Sequence, residues 1–298
     1  MRVGTIAMRT RFEIALWGER PETLRAVAEE ALAEVRALDA QLSAFDEASD
    51  VFELNAIASE RPVVVEPRLF RLLERAAELA EGADGAFDIT VGPLLRAWGF
   101  SGGSGHPARP EELQAARACT GRGMVLLDAR DRTVRFAREG VRIDLGAIGK
   151  GYALDRAAAI LSEAEPGGAL LHGGTSSVVA VGAGPDGAPW RVAVADPRAA
   201  SDQVAVVELH DEALSVSAVR GKAFEHEGMV FGHVLDPRSG EPVRGAELAA
   251  VVCHSATDGD ALSTALLVRG SEWLADLCRE WGARALVVEA GRVVRLGL

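Results

Sequence analysis

Asp260, Ser263 and Thr264 carry three oxygen-bearing side chains at positions i, i+3 and i+4, at the start of an apolar run. On a helix that spacing puts all three on one face. A carboxylate beside two hydroxyls is a hard, all-oxygen donor set, suited to Mg²⁺ or Ca²⁺ and unsuited to zinc. The same residues also read as an ordinary helix start, with Asp260 capping its own helix and the hydroxyls passive beyond it.

Four other clusters could carry chemistry. Asp144 ends a predicted strand, Gly146, Ala147 and Gly149 make a small-residue turn, and a helix starts near Lys150. Glycines let a ligand approach the backbone, and a helix N-terminus beside a lysine suits a phosphate. The alternative is a tight turn with a solvated lysine. The Walker A spacing is absent. His233 sits on a strand running into the turn Asp236–Gly240. An imidazole there is either a general base or a structural histidine. Asp236 either orients a reacting group or makes an Asx turn. His172, Gly173 and Gly174 precede Thr175, Ser176 and Ser177. They read as a ligand-hugging turn or a β-bulge, and no G-x-S-x-G elbow supports a hydrolase. Phe87, Asp88 and Thr90, with Trp98 and Phe100, are either a ring-stacking surface or core.

The elements that must position these residues follow from periodicity. Thr10–Trp17 alternates and reads as a strand. Pro21–Leu42 repeats apolar residues at helical spacing, as does a second helix starting at Pro67 and ending at Glu81–Gly85. Residues 43–56 read as loop. Strands are predicted at 123–127, 133–136, 141–145, 169–172, 178–181, 190–195, 204–209, 213–217, 246–254 and 283–289. Helices are predicted at 150–163, 260–268 and 272–281. Runs of strands interrupted by a few helices predict an α+β protein with a largely antiparallel sheet flanked by helices. With no repeat and no low-complexity linker, residues 1–298 read as one compact domain.

Composition narrows the function. The 298 residues can bury a large core, and 48% hydrophobic with 26% charged residues is ordinary for a globular chain. A net charge of −12 argues against nucleic-acid binding. A polyanionic substrate would need a metal or placed basic groups. Cys119, Cys253 and Cys278 are far apart, with no CxxC pair, which argues against a thiolate zinc site, and Cys253 reads as core. No window approaches the roughly 20 apolar residues of a membrane span. The N-terminal residues lack the apolar stretch of a signal peptide and a lipid-attachment cysteine, so the expectation is a cytoplasmic protein, or a periplasmic or membrane-anchored one if a leader was trimmed.

Taken in order, the segments resemble the FAD:protein FMN transferase family, the ApbE-type flavin transferases. The likeness is carried by Met8–Thr10, Leu42–Phe45, Ser49–Val51 with Leu54 and Asn55, and Phe87–Leu94 with Trp98–Phe100. It continues through Asp144–Asp155, Gly173 with Gly174, Trp190 with Asp196 and Pro197, His233–Gly240, and Asp260–Thr264. This resemblance implies a T-fold-related architecture. It also implies a Mg²⁺-dependent enzyme that splits FAD at its pyrophosphate, moves FMN onto a Thr or Ser hydroxyl of an acceptor protein, and releases AMP.

By the same resemblance, Asp260, Ser263, Thr264 and the Ala147 carbonyl are the metal ligands. Met8, Phe45, Ala86, Phe87, Asp88, Asp144, Lys150 and Val234 line FAD. His233 and Asp144 are the catalytic residues, His233 as base. Three positions depart from the family pattern. Arg9 replaces a glycine. Thr175 follows the glycine pair in place of Asp or Asn. Ala218 replaces a glycine after Ser217, with Arg220 and Lys222 beyond. These departures keep two alternatives open: an FAD pyrophosphatase giving FMN and AMP, and a catalytically silent flavin-binding protein.

Overall fold

The structure is a computed structural model that describes residues 1–199, 201–219, 221 and 223–298. Arg220 and Lys222, two of the residues noted in sequence, lie outside the described residues. The chain opens with strands β1 (Arg2–Ala7) and β2 (Thr10–Trp17), then helices α1 (Pro21–Leu42) and α2 (Asp50–Ile57), strand β3 (Val63–Val64) and helix α3 (Pro67–Gly82). A 3₁₀ turn at Ile89–Val91 leads into α4 (Gly92–Ala97), followed by α5 (Pro110–Arg117), β4 (Val125–Asp128), β5 (Thr133–Phe136) and α6 (Gly149–Glu163). Strands β6 (Gly168–Gly173), β7 (Ser177–Gly182), β8 (Trp190–Ala195), β9 (Gln203–Leu209), β10 (Ala213–Ala218), β11 (Ala223–His226), β12 (Met229–Gly232) and β13 (Ala246–Cys253) come next. The chain closes with α7 (Ala256–Arg269), a 3₁₀ turn, α8 (Leu274–Trp281), β14 (Arg284–Glu289) and β15 (Arg292–Leu296).

The fold is α+β, as expected. Eight strands form one sheet in the order β1-β2-β6-β7-β10-β13-β14-β15. Every pairing in it is antiparallel. The period-2 alternation of side chains gives this sheet two different faces. Ala169 and Leu171 of β6, Ala249 and Val251 of β13, and Ala285 and Val287 of β14 face α1, α6 and α7. Leu214, Leu248, Ala250, Val252, Leu286 and Val288 face the other way and pack under the β8–β9 hairpin through Val194, Val207 and Leu209. No helix is long and apolar enough to cross a membrane among the described residues.

Several local expectations are corrected. Helix α7 starts at Ala256, with Ser255 as its N-cap, accepting from the Asp258 amide. Asp260 therefore does not cap the helix; it projects from inside it. The run 141–145 is not a strand and joins no sheet. Its apolar residues Val141, Ile143 and Leu145 do face the core. Its backbone is satisfied elsewhere, because the Asn55 amide donates to the Ile143 carbonyl at 2.9 Å and accepts from the Ile143 N–H at 2.7 Å, while the Asp144 N–H donates to the Ile89 carbonyl. Asn55 itself lies on α2, in a stretch that reads as loop. His233 lies one residue beyond β12, not on a strand. Gly174–Ser176 form a tight hairpin turn between β6 and β7 with unbroken register, not a bulge. Strand β1, helix α5 and the β11–β12 hairpin lie where sequence periodicity is too weak to predict them.

Candidate active site

The site is built where the N-termini of α6 and α7 meet. Gly151, in the first turn of α6, has no side chain because none fits: a Cβ there would lie 2.0 Å from the Ala256 carbonyl oxygen. Close approach of the two helices lets the Gly151 N–H donate to Asp260 Oδ2 at 3.0 Å. Ser177 Oγ, from β7, donates to Asp260 Oδ1 at 3.1 Å. Lys150 Nζ stands 3.7 Å from Oδ2 and donates to the Gly146 carbonyl at 3.3 Å. A carboxylate only 4% exposed thus receives one N–H, one O–H and a facing ammonium, which is how a buried charge is kept in place.

The start of α7 is fixed from α6. Asp155 accepts from the Ala256 and Thr257 amides at 2.8 and 2.9 Å and from the Ser255 and Thr257 hydroxyls at 2.8 and 2.6 Å. One side chain, about a hundred residues upstream, satisfies the helix-start donors that Asp260 was expected to serve. Beneath Asp260, Ser263 and Thr264 each donate back to the Asp260 carbonyl at 3.1 Å. Ser217 Oγ, from β10, lies 2.9 Å from Ser263 Oγ and 3.1 Å from Thr264 Oγ1. Ser263 is fully buried, whereas Asp260 and Thr264 line the cleft above.

That cleft has a volume of about 1330 Å³. Asp144, Ala147 and Lys150 line it beside Asp260, and Asp144 Oδ1 accepts from the Gly146 N–H at 2.8 Å to shape the turn before α6. Met8, Phe45, Ala86, Phe87, Asp88 and Val234 line its other walls. Every residue expected along the ligand therefore reaches one cavity. Phe87, Trp98 and Phe100 are largely buried, so the core reading holds for these rings, although Phe87 and Phe100 also edge the cleft. Asp88 is nearly buried; Thr90 donates to its Oδ1 through N–H at 2.8 Å and hydroxyl at 2.6 Å. Burial pushes the Asp88 carboxyl above the usual carboxylate range, and the Thr90 hydrogen bonds oppose that rise.

His233 lines the same cleft, its ring edge-on to Phe100 at 6.4 Å. Phe224 and Phe231 stack at 5.2 Å, and Phe231 stacks on Trp98 at 5.7 Å, rooting the β11–β12 hairpin that leads to His233. Asp236 resolves to the Asx-turn reading. It accepts from the Arg238 N–H at 2.9 Å and pairs with the Arg238 guanidinium. His172 lines the cleft at its β6 end. Cys253 lies on β13, its thiol pushed up to about 12 by burial and so inert.

The departures Arg9 and Ala218 behave differently. Ala218 ends β10 and is not among the residues with positive φ, so the glycine it replaces is not missed there. Arg9 has φ +61°, and Met8 before it φ +48°. Ser177 and Asp155 fall inside segments noted in sequence, but their roles, Ser177 as a donor to Asp260 and Asp155 as the anchor of α7, are not readable there. Ser177 carried one signal: it is a hydroxyl at a helix-facing position of a strand, where a polar group must find a partner.

Comparison with known proteins bears on the whole chain. The ApbE family model matches residues 8–287. A Treponema pallidum protein named FAD:protein FMN transferase is 30% identical over 97% of this chain and 84% of its own length. A Rhodobacter capsulatus protein of the same name is 35% identical over 78% of this chain, which spans only 44% of that longer protein. The crystal structure of an ApbE protein from Thermotoga maritima superposes with a TM-score of 0.91 at 32% identity, covering all of this chain and 97% of that one.

Proposed function

The chain belongs to the ApbE family, and we propose from that premise that it is a flavin transferase, moving FMN from FAD onto a Thr or Ser hydroxyl of an acceptor protein with release of AMP. Residues 1–298 are read as one such domain. The observation that carries the reading is the meeting of the Asp260–Lys150 corner with His233 in a single cleft. At about 1330 Å³ this cleft exceeds the roughly 300–1,000 Å³ usual for one small ligand. That leaves room for a dinucleotide and an acceptor segment together.

The oxygen set fits Mg²⁺. Asp260, the Thr264 hydroxyl and the Ala147 carbonyl would hold it, with Ser263 behind them. Among the described residues no cluster of three His, Cys, Asp or Glu forms a metal cage. A single carboxylate is what Mg²⁺ uses when substrate phosphates complete its shell. When bound, the ion offsets charge on the diphosphate oxygens.

The chain's own residues do the rest. Lys150, at the start of α6, adds a full positive charge beside the helix-end donors, where phosphoryl oxygens gain charge during transfer. The acceptor oxygen bonds to the flavin-side phosphorus as the bond from that phosphorus to the bridging oxygen breaks. The bridging oxygen departs with AMP, and the acceptor proton passes to His233. Phosphoryl transfer asks chiefly for such positioning and electrostatics. Asp144 shapes the turn that presents Ala147 and Lys150. The test is AMP release from FAD by the purified chain supplied with an acceptor peptide, with and without Mg²⁺. AMP formation that ignores chelator contradicts the metal assignment, and no AMP with FAD bound favours the silent-binder alternative.

A further inference from the structure

Strands β1 and β2 are joined by two residues, Met8 and Arg9, closed by the Ala7–Thr10 pair. Both have left-handed φ, +48° and +61°, the geometry of a type I′ hairpin turn. The second position of such a turn strongly favours glycine, and an arginine there is held against its conformational preference. Strain kept at a cleft wall points to function. The Arg9 side chain is not spent on folding either: among the described residues it forms no ion pair. Its guanidinium lies 5.7 Å from the centre of the Phe45 ring. Phe45 is 55% exposed, an unusual state for a phenylalanine. Its backbone is fixed by the Ser43 hydroxyl, which accepts from the Phe45 and Asp46 amides at 3.2 and 3.1 Å. Both side chains line the cleft.

Resting on the flavin-transferase reading, we propose that Arg9 is a positioning residue that selects the flavin ring system at this end of the cleft. An exposed ring with a guanidinium over it offers a flat apolar face and a planar donor fork. The isoalloxazine ring presents two carbonyl oxygens and ring nitrogens along one edge, which is rich in acceptors. Adenine presents an amino donor on its corresponding edge. A guanidinium has five donors and no acceptor, so the first edge can accept both prongs of the fork, whereas on the adenine edge the amino donor opposes one prong and a ring nitrogen accepts only the other. The retained strain then has a return in ligand selectivity that glycine cannot give.

The test compares wild type, Arg9→Gly and Arg9→Lys by binding of FAD, FMN and ADP and by thermal melting without ligand. Arg9→Gly is expected to raise the melting temperature, because the turn relaxes. It is expected to weaken FAD and FMN by roughly three- to tenfold while ADP stays within twofold. Arg9→Lys keeps the charge without the fork and falls between. FAD affinity within twofold of wild type overturns the proposal. Equal losses for ADP and FMN overturn it by placing Arg9 on the phosphates. A lower melting temperature with weaker binding overturns it in favour of a structural role. Wild type that binds no FAD removes the flavin-transferase reading and this inference with it; wild type that binds FAD leaves the first standing whatever Arg9→Gly shows.

Discussion

Asp260 on α7 and Gly151 on α6 are joined by one hydrogen bond of 3.0 Å, from the Gly151 N–H to Oδ2. The bond exists because Gly151 lets the two helices touch, and it sets the carboxylate beside Lys150. Helix packing and site chemistry therefore depend on the same residue.

Gly151→Ala tests that dependence. Its Cβ would meet the Ala256 carbonyl and the Thr257 amide nitrogen, both backbone atoms, so neither can swing away. Overpacking of this kind costs about 1–3 kcal/mol. The expected outcome is a lower melting temperature and a large loss of AMP release. An unchanged melting temperature would show that the helices can separate freely.

Asp155→Ala removes the four hydrogen bonds that anchor the start of α7. A lost cap costs about 1–2 kcal/mol, and buried donors left bare add to it. Chemical denaturation should give a lower midpoint, with Asp155→Asn in between. A midpoint equal to wild type would mean that Ser255 alone suffices as cap.

Asp88 supplies a pH test. Burial raises its folded-state pKa above the unfolded value, so the native state binds the proton more tightly. The stabilising effect of that proton is complete below the unfolded pKa and is lost as pH rises through the raised folded pKa. Asp88→Asn keeps an oxygen for the Thr90 donors and removes the buried charge. Its denaturation midpoint should exceed that of wild type at pH 8, and the gap should narrow on acidification. A gap that widens toward acid pH would contradict this.

Lys150→Met should leave the melting temperature within a few degrees, since the ammonium is partly exposed. Turnover should fall by about 10²-fold or more, the usual scale for one lost charge-stabilising donor. Steady-state AMP release checks it, and a loss below threefold would remove Lys150 from the mechanism.

The parts of this fold legible in sequence are those whose signal is local. Helices α1 and α3 declare themselves by a proline at the first turn and a long apolar stripe. Strand β8 reads from alternation alone. Residues 141–145 alternate like a strand and face the core like one, but Ile143 bonds the Asn55 side chain and Asp144 the Ile89 carbonyl in place of a neighbouring strand. Asp260 reads as a cap because Asp and Gly commonly start helices. The groups that cap α7 are Ser255 and Asp155, and the Asp155 contact exists only in three dimensions. The cleft residues share no local pattern and are legible only through the ordered motifs that resemble the family, whereas Ser177 and Ser217 look like ordinary strand serines until the sheet folds beneath α7.

The most direct test of the account is mass spectrometry of an acceptor peptide carrying a flavinylation sequence, incubated with FAD, Mg²⁺ and wild type or Asp260→Asn. The substitution keeps an oxygen for the Gly151 N–H but removes the charge. Wild type should add one FMN per peptide with one AMP released for each, and Asp260→Asn should do neither while remaining folded. AMP accumulating beside unlabelled peptide, or full labelling by Asp260→Asn, would contradict the account.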